Sequence, residues 1–146
     1  MTPVLMLGAF SGAFVSGLFP LVNAELLLIG LSLGVAPAAW PILVVTVAAG
    51  QMTGKALLFL TGGRIAGPAL AARLERWGLN GRRLGGGMSL VALSAAVGLP
   101  PFYLVAVAAP ALGVGLGTFF AVGLAGRIAR FAAVLAIPGL VSALTR

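Results

Sequence analysis

Apolar residues run almost unbroken along this chain, and the informative positions are the prolines, glycines and few charges that interrupt them. Val4 to Phe19 gives sixteen mostly apolar residues, closed by Pro20. Asn23 to Gly34 gives twelve more, and Pro37 and Pro41 punctuate the connection to the next run. Pro41 to about Thr61 is a full-length span, since about 20 helical residues cross roughly 30 Å of hydrocarbon. The second half follows a similar plan. Met88 to Gly98 gives eleven residues, Pro100-Pro101 breaks the run, Phe102–Ala109 resumes it, and Pro110 breaks it again. A Gly-rich span follows from about Gly113 to Phe131. Its Gly113, Gly117, Ala121 and Ala125 have an i, i+4 spacing that suits close helix contact in lipid. Ala132–Leu144, interrupted by Pro138-Gly139, is too short and too broken for another crossing.

Each half therefore holds a short, proline-broken segment followed by a long span. Twelve residues reach only about 18 Å as a helix. Asn23–Gly34 is then either a continuation of the first helix past a kink or a re-entrant half-helix. Broken backbone at membrane depth is tolerated only where protein buries it or it lines a wet cavity. Paired interrupted segments are also the sequence pointer to a transporter binding site. The expected architecture is an all-α integral membrane protein, one domain over residues 1–146, with several transmembrane helices and two Pro-broken re-entrant half-helices. Internal symmetry is limited. Gly-Arg-Ile-Ala occurs at Gly63–Ala66 and at Gly126–Ala129, but Leu-Gly-Val at Leu33–Val35 and Leu112–Val114 has a different offset.

Composition fixes the class. Mean hydropathy is +1.19 and charged residues make up 8%, against roughly a quarter in soluble domains. Met1-Thr2-Pro3 has no basic region of the kind that opens a cleaved signal, so the apolar start is expected to be the first membrane segment. With no cysteine, no histidine and two carboxylates, thiol chemistry and the commonest general base are excluded. No enzymatic activity, metal or cofactor is expected.

One of those carboxylates, Glu25, is the only charged side chain between Met1 and Gly54. A carboxylate at the bilayer centre costs about 2.5–3.5 kcal/mol or more, so structure or function must compensate it. Pro20 breaks the helix before it, and Asn23 is a favourable N-cap that would set Glu25 in the first turn of the resumed helix, near its positive dipole end. Pro101 can likewise occupy the first turn of the second half-helix, where its missing N–H costs nothing. Two such N-termini pointing inward would form an anion site, and a lipid phosphate is the anion expected there. The structural alternative for Glu25 is capping its own helix or pairing with Lys55 or Arg127. Arg127 and Arg130 lie three residues apart and face nearly the same way. They could hold a phosphate, pair with Glu25 across the interior, or snorkel to the interface as topology anchors. Tyr103, beside the Pro100-Pro101 break, is a candidate for either packing or pocket lining.

The densest basic stretch, Arg64, Arg73, Arg76, Arg82 and Arg83, places residues 64–83 on the cytoplasmic side. Within it Pro68 can open a helix and Gly78 can close one. Leu70, Leu74 and Trp77 share a face at i, i+4, i+7, with Arg73 and Arg76 off it, so an amphipathic helix over 68–77 is expected to lie in the membrane interface. An ordinary solvated connector is the alternative. Trp40 and Trp77 are expected in the interfacial belt.

The order of these features resembles the DedA family, whose core is the VTT (SNARE-associated) domain. The resembling residues are Pro20…Asn23-Ala24-Glu25, Gly50…Gly54-Lys55…Gly62-Gly63-Arg64…Gly67, Leu99-Pro100-Pro101-Phe102-Tyr103…Ala108-Ala109, Phe119-Phe120 and Gly126-Arg127…Arg130-Phe131. They cover about residues 8–135. The resemblance implies a small bacterial inner-membrane protein with two facing re-entrant hairpins. It further implies lipid movement between leaflets, as a phospholipid scramblase or an undecaprenyl-phosphate flippase, with Glu25 matching the coupling carboxylate. The chain departs from the family where typical members read Arg-Phe-x-Pro-Gly-x-Arg. Here Val97-Gly98-Leu99-Pro100-Pro101-Phe102-Tyr103 has neither arginine, and the second acidic residue often found near the first re-entrant element is absent.

The functional expectation is a transporter of anionic phospholipid or polyprenyl phosphate, with Pro20, Asn23, Glu25, Pro100, Pro101, Tyr103, Arg127 and Arg130 at its site. No nucleic-acid partner is expected, and a homo-oligomer is compatible with the composition. The alternatives are a proton-coupled exporter of small amphipathic solutes, which would use Glu25 as proton carrier, and a non-transporting membrane scaffold.

Overall fold

One long helix organises the chain, and most of the other described helices pack against it. In the computed structural model, which describes residues 2–77 and 87–144, this helix is α3 (Trp40–Ile65), entered through a 3-10 turn at Pro37–Ala39. Before it come α1 (Pro3–Leu18) and α2 (Ala24–Ser32). After it come α4 (Gly67–Arg76), α5 (Gly87–Val97), α6 (Phe102–Ala108) and α7 (Leu116–Leu144). The described residues are all-helical, with no strand among them. Two of the helices are long and apolar enough to cross a membrane, over Pro37–Ile65 and Leu116–Ile137.

The contact between α1 and α3 is built from missing side chains. A Cβ added at Gly54 would lie 2.5 Å from the Phe14 carbonyl oxygen, and one at Gly17 would lie 2.5 Å from that of Gln51. Gly50 meets the Phe10 carbonyl in the same way. Small residues let the two backbones approach until dispersion and weak Cα–H contacts hold them. On another side of α3, Gly63 admits the ring of Pro110. The helices α5 and α7 meet similarly, with Gly126 against Ala95.

Larger side chains fill the remaining space in two clusters. One joins Ala9, Leu28, Leu43, Val47 and Phe131 from α1, α2, α3 and α7. The other joins Met52, Phe59, Leu74, Leu90, Val105 and Phe119 from α3 through α7. Within the second, Phe119 stacks on Phe102 at 5.7 Å and meets Phe59 at 5.0 Å. These spacings are in the favourable range for aromatic pairs.

Four sequence expectations change. The segment Ala132–Leu144 is a continuation of α7 and the helix runs through Pro138. Proline removes one N–H there, and the alanine- and leucine-rich flanks are strong helix formers. The ladder Gly113, Gly117, Ala121 and Ala125 faces outward, not toward a neighbouring helix; its first member precedes α7 at φ +77°, a conformation that suits glycine. The faces of α7 in tight contact carry Gly123, against Met52, and Gly126. The amphipathic helix forms as α4, but its apolar side packs on protein: Ala71 and Leu74 are buried in the core while Trp77 is exposed, with the Arg73 guanidinium 5.7 Å over its ring. Finally, Pro101 is the N-cap of α6 and not its first helical residue. Gly78, Arg82 and Arg83 lie outside the described residues.

The glycine packing makes a directional prediction. Gly54→Val forces a side chain against backbone and should destabilise the detergent-solubilised protein by about 1–3 kcal/mol. Gly117→Val, at an outward position with nothing within 4 Å of an added Cβ, should stay within about 0.5 kcal/mol. Thermal unfolding of the two variants side by side measures the difference, and equal losses would show that close α1–α3 approach is not needed.

Candidate functional site

The break between α1 and α2 begins at Phe19, which precedes a proline and is therefore pushed out of the helical region; its backbone is extended at φ −110°, ψ 118°. Four residues later Asn23 is again extended and caps α2, its Oδ1 accepting from the Glu25 amide at 2.8 Å. Glu25 thus enters the first turn of α2, where the helix dipole favours a negative charge. Its carboxylate does not cap its own helix. Oε1 accepts from Arg130 Nε of α7 at 2.5 Å.

Arg130 makes further contacts. It donates to the Val97 carbonyl and, at 3.4 Å, to that of Ala96. These carbonyls belong to the last turn of α5, where backbone acceptors have no intrahelical partner and a cation is favoured. One guanidinium therefore joins the start of α2, the end of α5 and the middle of α7. Gly98 completes the arrangement. It sits at φ +90°, and a Cβ there would fall 2.7 Å from Arg130 Nη1.

Arg127 takes a different environment. It is 8% exposed, its guanidinium lies 4.7 Å over the Phe102 ring, and its Nε has no hydrogen-bond partner. Lys55, on the facing side of α3, is 4% exposed with Nζ 6.0 Å over the ring of Tyr103. Both aromatic residues open α6, directly after the Pro100-Pro101 break. That break is pinned by Ser94, whose hydroxyl donates to the Pro100 carbonyl at 2.5 Å; the Leu99–Pro100 peptide bond is cis.

These groups surround one cavity of about 290 Å³. The ends of α1 and α2 contribute Pro20, Asn23 and Glu25; the start of α6 contributes Pro101, Phe102 and Tyr103; and Arg127 of α7 lines another side. Of the residues singled out in the sequence, Pro20, Asn23, Glu25, Pro101, Tyr103 and Arg127 come together here. Arg130 adjoins the cavity through Glu25 without lining it, and Pro100 lies buried beside it. The partner of Glu25 is Arg130, rather than Lys55 or Arg127. Arg127 does not snorkel outward. The cavity also takes Ser16, Gln51 and Lys55, which the sequence reading did not place at the site. Lys55 carried a usable signal as a cation inside a full-length apolar span, with Gln51 one turn before it.

Compared with known proteins, the chain matches no family model, no curated protein and no solved structure. The chemistry of the site must therefore be read from its own atoms. Glu25 and Arg130 neutralise each other. Lys55 and Arg127 remain as two buried cations with no acidic partner among the described residues. A desolvated cation is costly unless a counter-charge or hydrogen-bond acceptor meets it, and such a cavity can hold an anion.

The two members of the ion pair should differ in what their loss costs. Glu25→Gln keeps an oxygen acceptor for Arg130 and should lower stability by less than about 1 kcal/mol, whereas Arg130→Gln also frees the α5 carbonyls and should cost about 2–3 kcal/mol. Chemical unfolding in detergent distinguishes them, and the reverse order would mean that the α5 contacts contribute nothing.

Proposed function

We propose that the chain is an integral membrane protein, similar to the DedA family, that moves lipids with anionic headgroups between leaflets by way of the cavity beside Glu25. In this reading α3 and α7 cross the bilayer. The shorter α2 and α6, about 14 Å and 10 Å long, are re-entrant half-helices whose N-terminal ends meet at the cavity. The protein sits in a bacterial inner membrane with the arginines of residues 64–83 on the cytoplasmic side. Arg64, Arg73 and Arg76, the described members of that group, are all exposed.

The observation that carries this reading is a reversed polarity. Buried cations line the cavity, while Leu7, Leu26, Leu33, Ile42 and Leu60 stand outward. So much exposed apolar surface marks a contact with lipid or another apolar partner. A lipid fits both halves of the pattern. Its phosphate meets Lys55 and Arg127, the latter with a planar fork suited to two phosphate oxygens, and its tails stay outside in hydrocarbon. The ends of α2 and α6 supply the break in the apolar wall through which the headgroup enters. Glu25, held by Arg130 at the rim, is the group whose charge a passing phosphate encounters.

Two measurements test the proposal. In proteoliposomes carrying fluorescent lipids, the wild-type protein should speed exchange between leaflets and Glu25→Gln should abolish it while remaining folded. Arg127→Gln should slow movement of an anionic lipid about tenfold, as expected for loss of one charged hydrogen bond, with a smaller effect on a zwitterionic lipid; Arg127→Lys should retain part of the activity. Unchanged rates in all three variants would exclude this cavity as the route.

The second test concerns topology. The chain has no cysteine, so single cysteines at Phe19 and Gly34 can be labelled without background. Both should react with an impermeant reagent from the same side of the membrane, and reaction from opposite sides would make α2 part of a crossing.

A further inference from the structure

The cavity offers an acceptor as well as cations, which constrains the alcohol side of its ligand. Gln51 is 6% exposed and lines the wall one turn before Lys55. Its amide orientation is decided by Ser16. The Ser16 hydroxyl donates its one proton to the Ala13 carbonyl at 2.8 Å, so toward Gln51 it can only accept. Gln51 Nε2 is accordingly the atom that faces it, at 3.4 Å. Gln51 Oε1 is directed elsewhere and has no partner among the described residues. Arg127 Nε, on another wall, is likewise buried and unmatched. Buried polar atoms left unpaired cost stability that a ligand can restore.

A bare phosphate would answer only the donors. Gln51 Oε1 needs a hydrogen-bond donor, and charge decides which kind. Lys55 and Arg127 are already two cations with no salt bridge to an acidic group among the described residues, because Arg130 takes the Glu25 carboxylate. An ammonium group would add a third positive charge to a desolvated site, whereas a hydroxyl donates without adding charge. At about 290 Å³ the cavity lies at the small end of ligand pockets, which run from about 300 Å³ upward. That volume suits a headgroup and not a whole lipid.

Resting on the lipid-phosphate reading above, we propose that the cavity selects phosphate esters of hydroxylated alcohols, with the phosphate on Lys55 and Arg127 and an alcohol hydroxyl donating to Gln51 Oε1. Gln51 is then a specificity residue and Ser16 the residue that positions it. The same chemistry occurs in a phosphoglycerol-type lipid headgroup and in a soluble polyol phosphate.

The test compares glycerol 3-phosphate with propyl phosphate, which has the same carbon chain and no hydroxyl, on the protein in phosphatidylcholine nanodiscs by titration calorimetry. The wild type should prefer glycerol 3-phosphate by about fivefold, the scale of one neutral hydrogen bond, and should bind phosphoethanolamine more weakly than either. Gln51→Leu should erase the preference, so that the two esters bind alike. Ser16→Ala, which frees the amide to turn, should reduce the preference and serves as the second variant if Gln51→Leu does not fold. Equal binding of the two esters by the wild type, a preference that survives in a folded variant, or tighter binding of phosphoethanolamine would overturn the proposal. Binding of both esters with equal affinity would leave the lipid-phosphate reading standing, whereas no binding of either ester or of inorganic phosphate would remove both. Displacement of the probe by phosphatidylglycerol added to the nanodisc supports the proposal and assigns the lipid headgroup; retention of the probe with its preference intact supports it and assigns a soluble ester.

Discussion

The contact on which the site depends is the reach of Arg130. A carboxylate in an apolar chain is costly unless something answers it, and Arg130 answers Glu25 while also taking the free carbonyls at the end of α5. The two short helices of the two halves are thereby tied to one side chain of α7. The geometry requires a glycine at position 98, both for its positive φ and for the space a guanidinium occupies. With Glu25 engaged in this way, neither Arg127 nor Lys55 has a salt bridge to an acidic group among the described residues. The cationic character of the cavity follows from which arginine the carboxylate holds.

The second constraint is the close seating of α1 on α3. Gly17, Gly50 and Gly54 bring the two backbones into contact, which sets Ser16 beside Gln51 and orients that amide. The same helix carries Lys55 one turn further. Packing and site chemistry are thus one arrangement, because each of the small residues that allow the approach is next in sequence to a polar residue that lines the cavity. Phe102 contributes to both as well, stacking on Phe119 within the core and presenting its ring to the Arg127 guanidinium.

Much of the fold was legible in the sequence because its signals are local. Pro20 and Asn23 ended one helix and capped the next through backbone sterics and a single short hydrogen bond, both effective over a few residues. The length of α3, the short α5 and α6 and the break at Pro100-Pro101 follow from apolar run lengths and prolines in the same way. Local signals failed where neighbours decided. Pro138 read as a stop, yet the helix formers around it carried α7 past. The small-residue ladder read as a contact face, yet the contacts formed on the face bearing Gly123 and Gly126, because the partner helices lie on that side. Of the apolar stripe expected on α4, Leu74 is buried and Trp77 is exposed, and whether the stripe met lipid or protein depended on where α6 lay.

Composition and spacing determined by themselves that the chain is helical and apolar, that Glu25 stands in the first turn of a capped helix, and that Arg127 and Arg130 lie on nearly the same helix face. They could not determine which arginine Glu25 would hold. Residues 25 and 130 are over a hundred positions apart, and the choice between neighbouring cations on one helix turns on ångström-scale differences in how α2, α5 and α7 pack. Only the tertiary structure decided that Arg130 is neutralised while Arg127 stays buried over Phe102. Only it brought Gln51 and Lys55 to the same cavity. The physical reason is that hydrogen bonds and ion pairs act over about 3 Å, whereas the sequence pattern constrains a helix face and leaves the placement of that face against its neighbours to the packing of the whole.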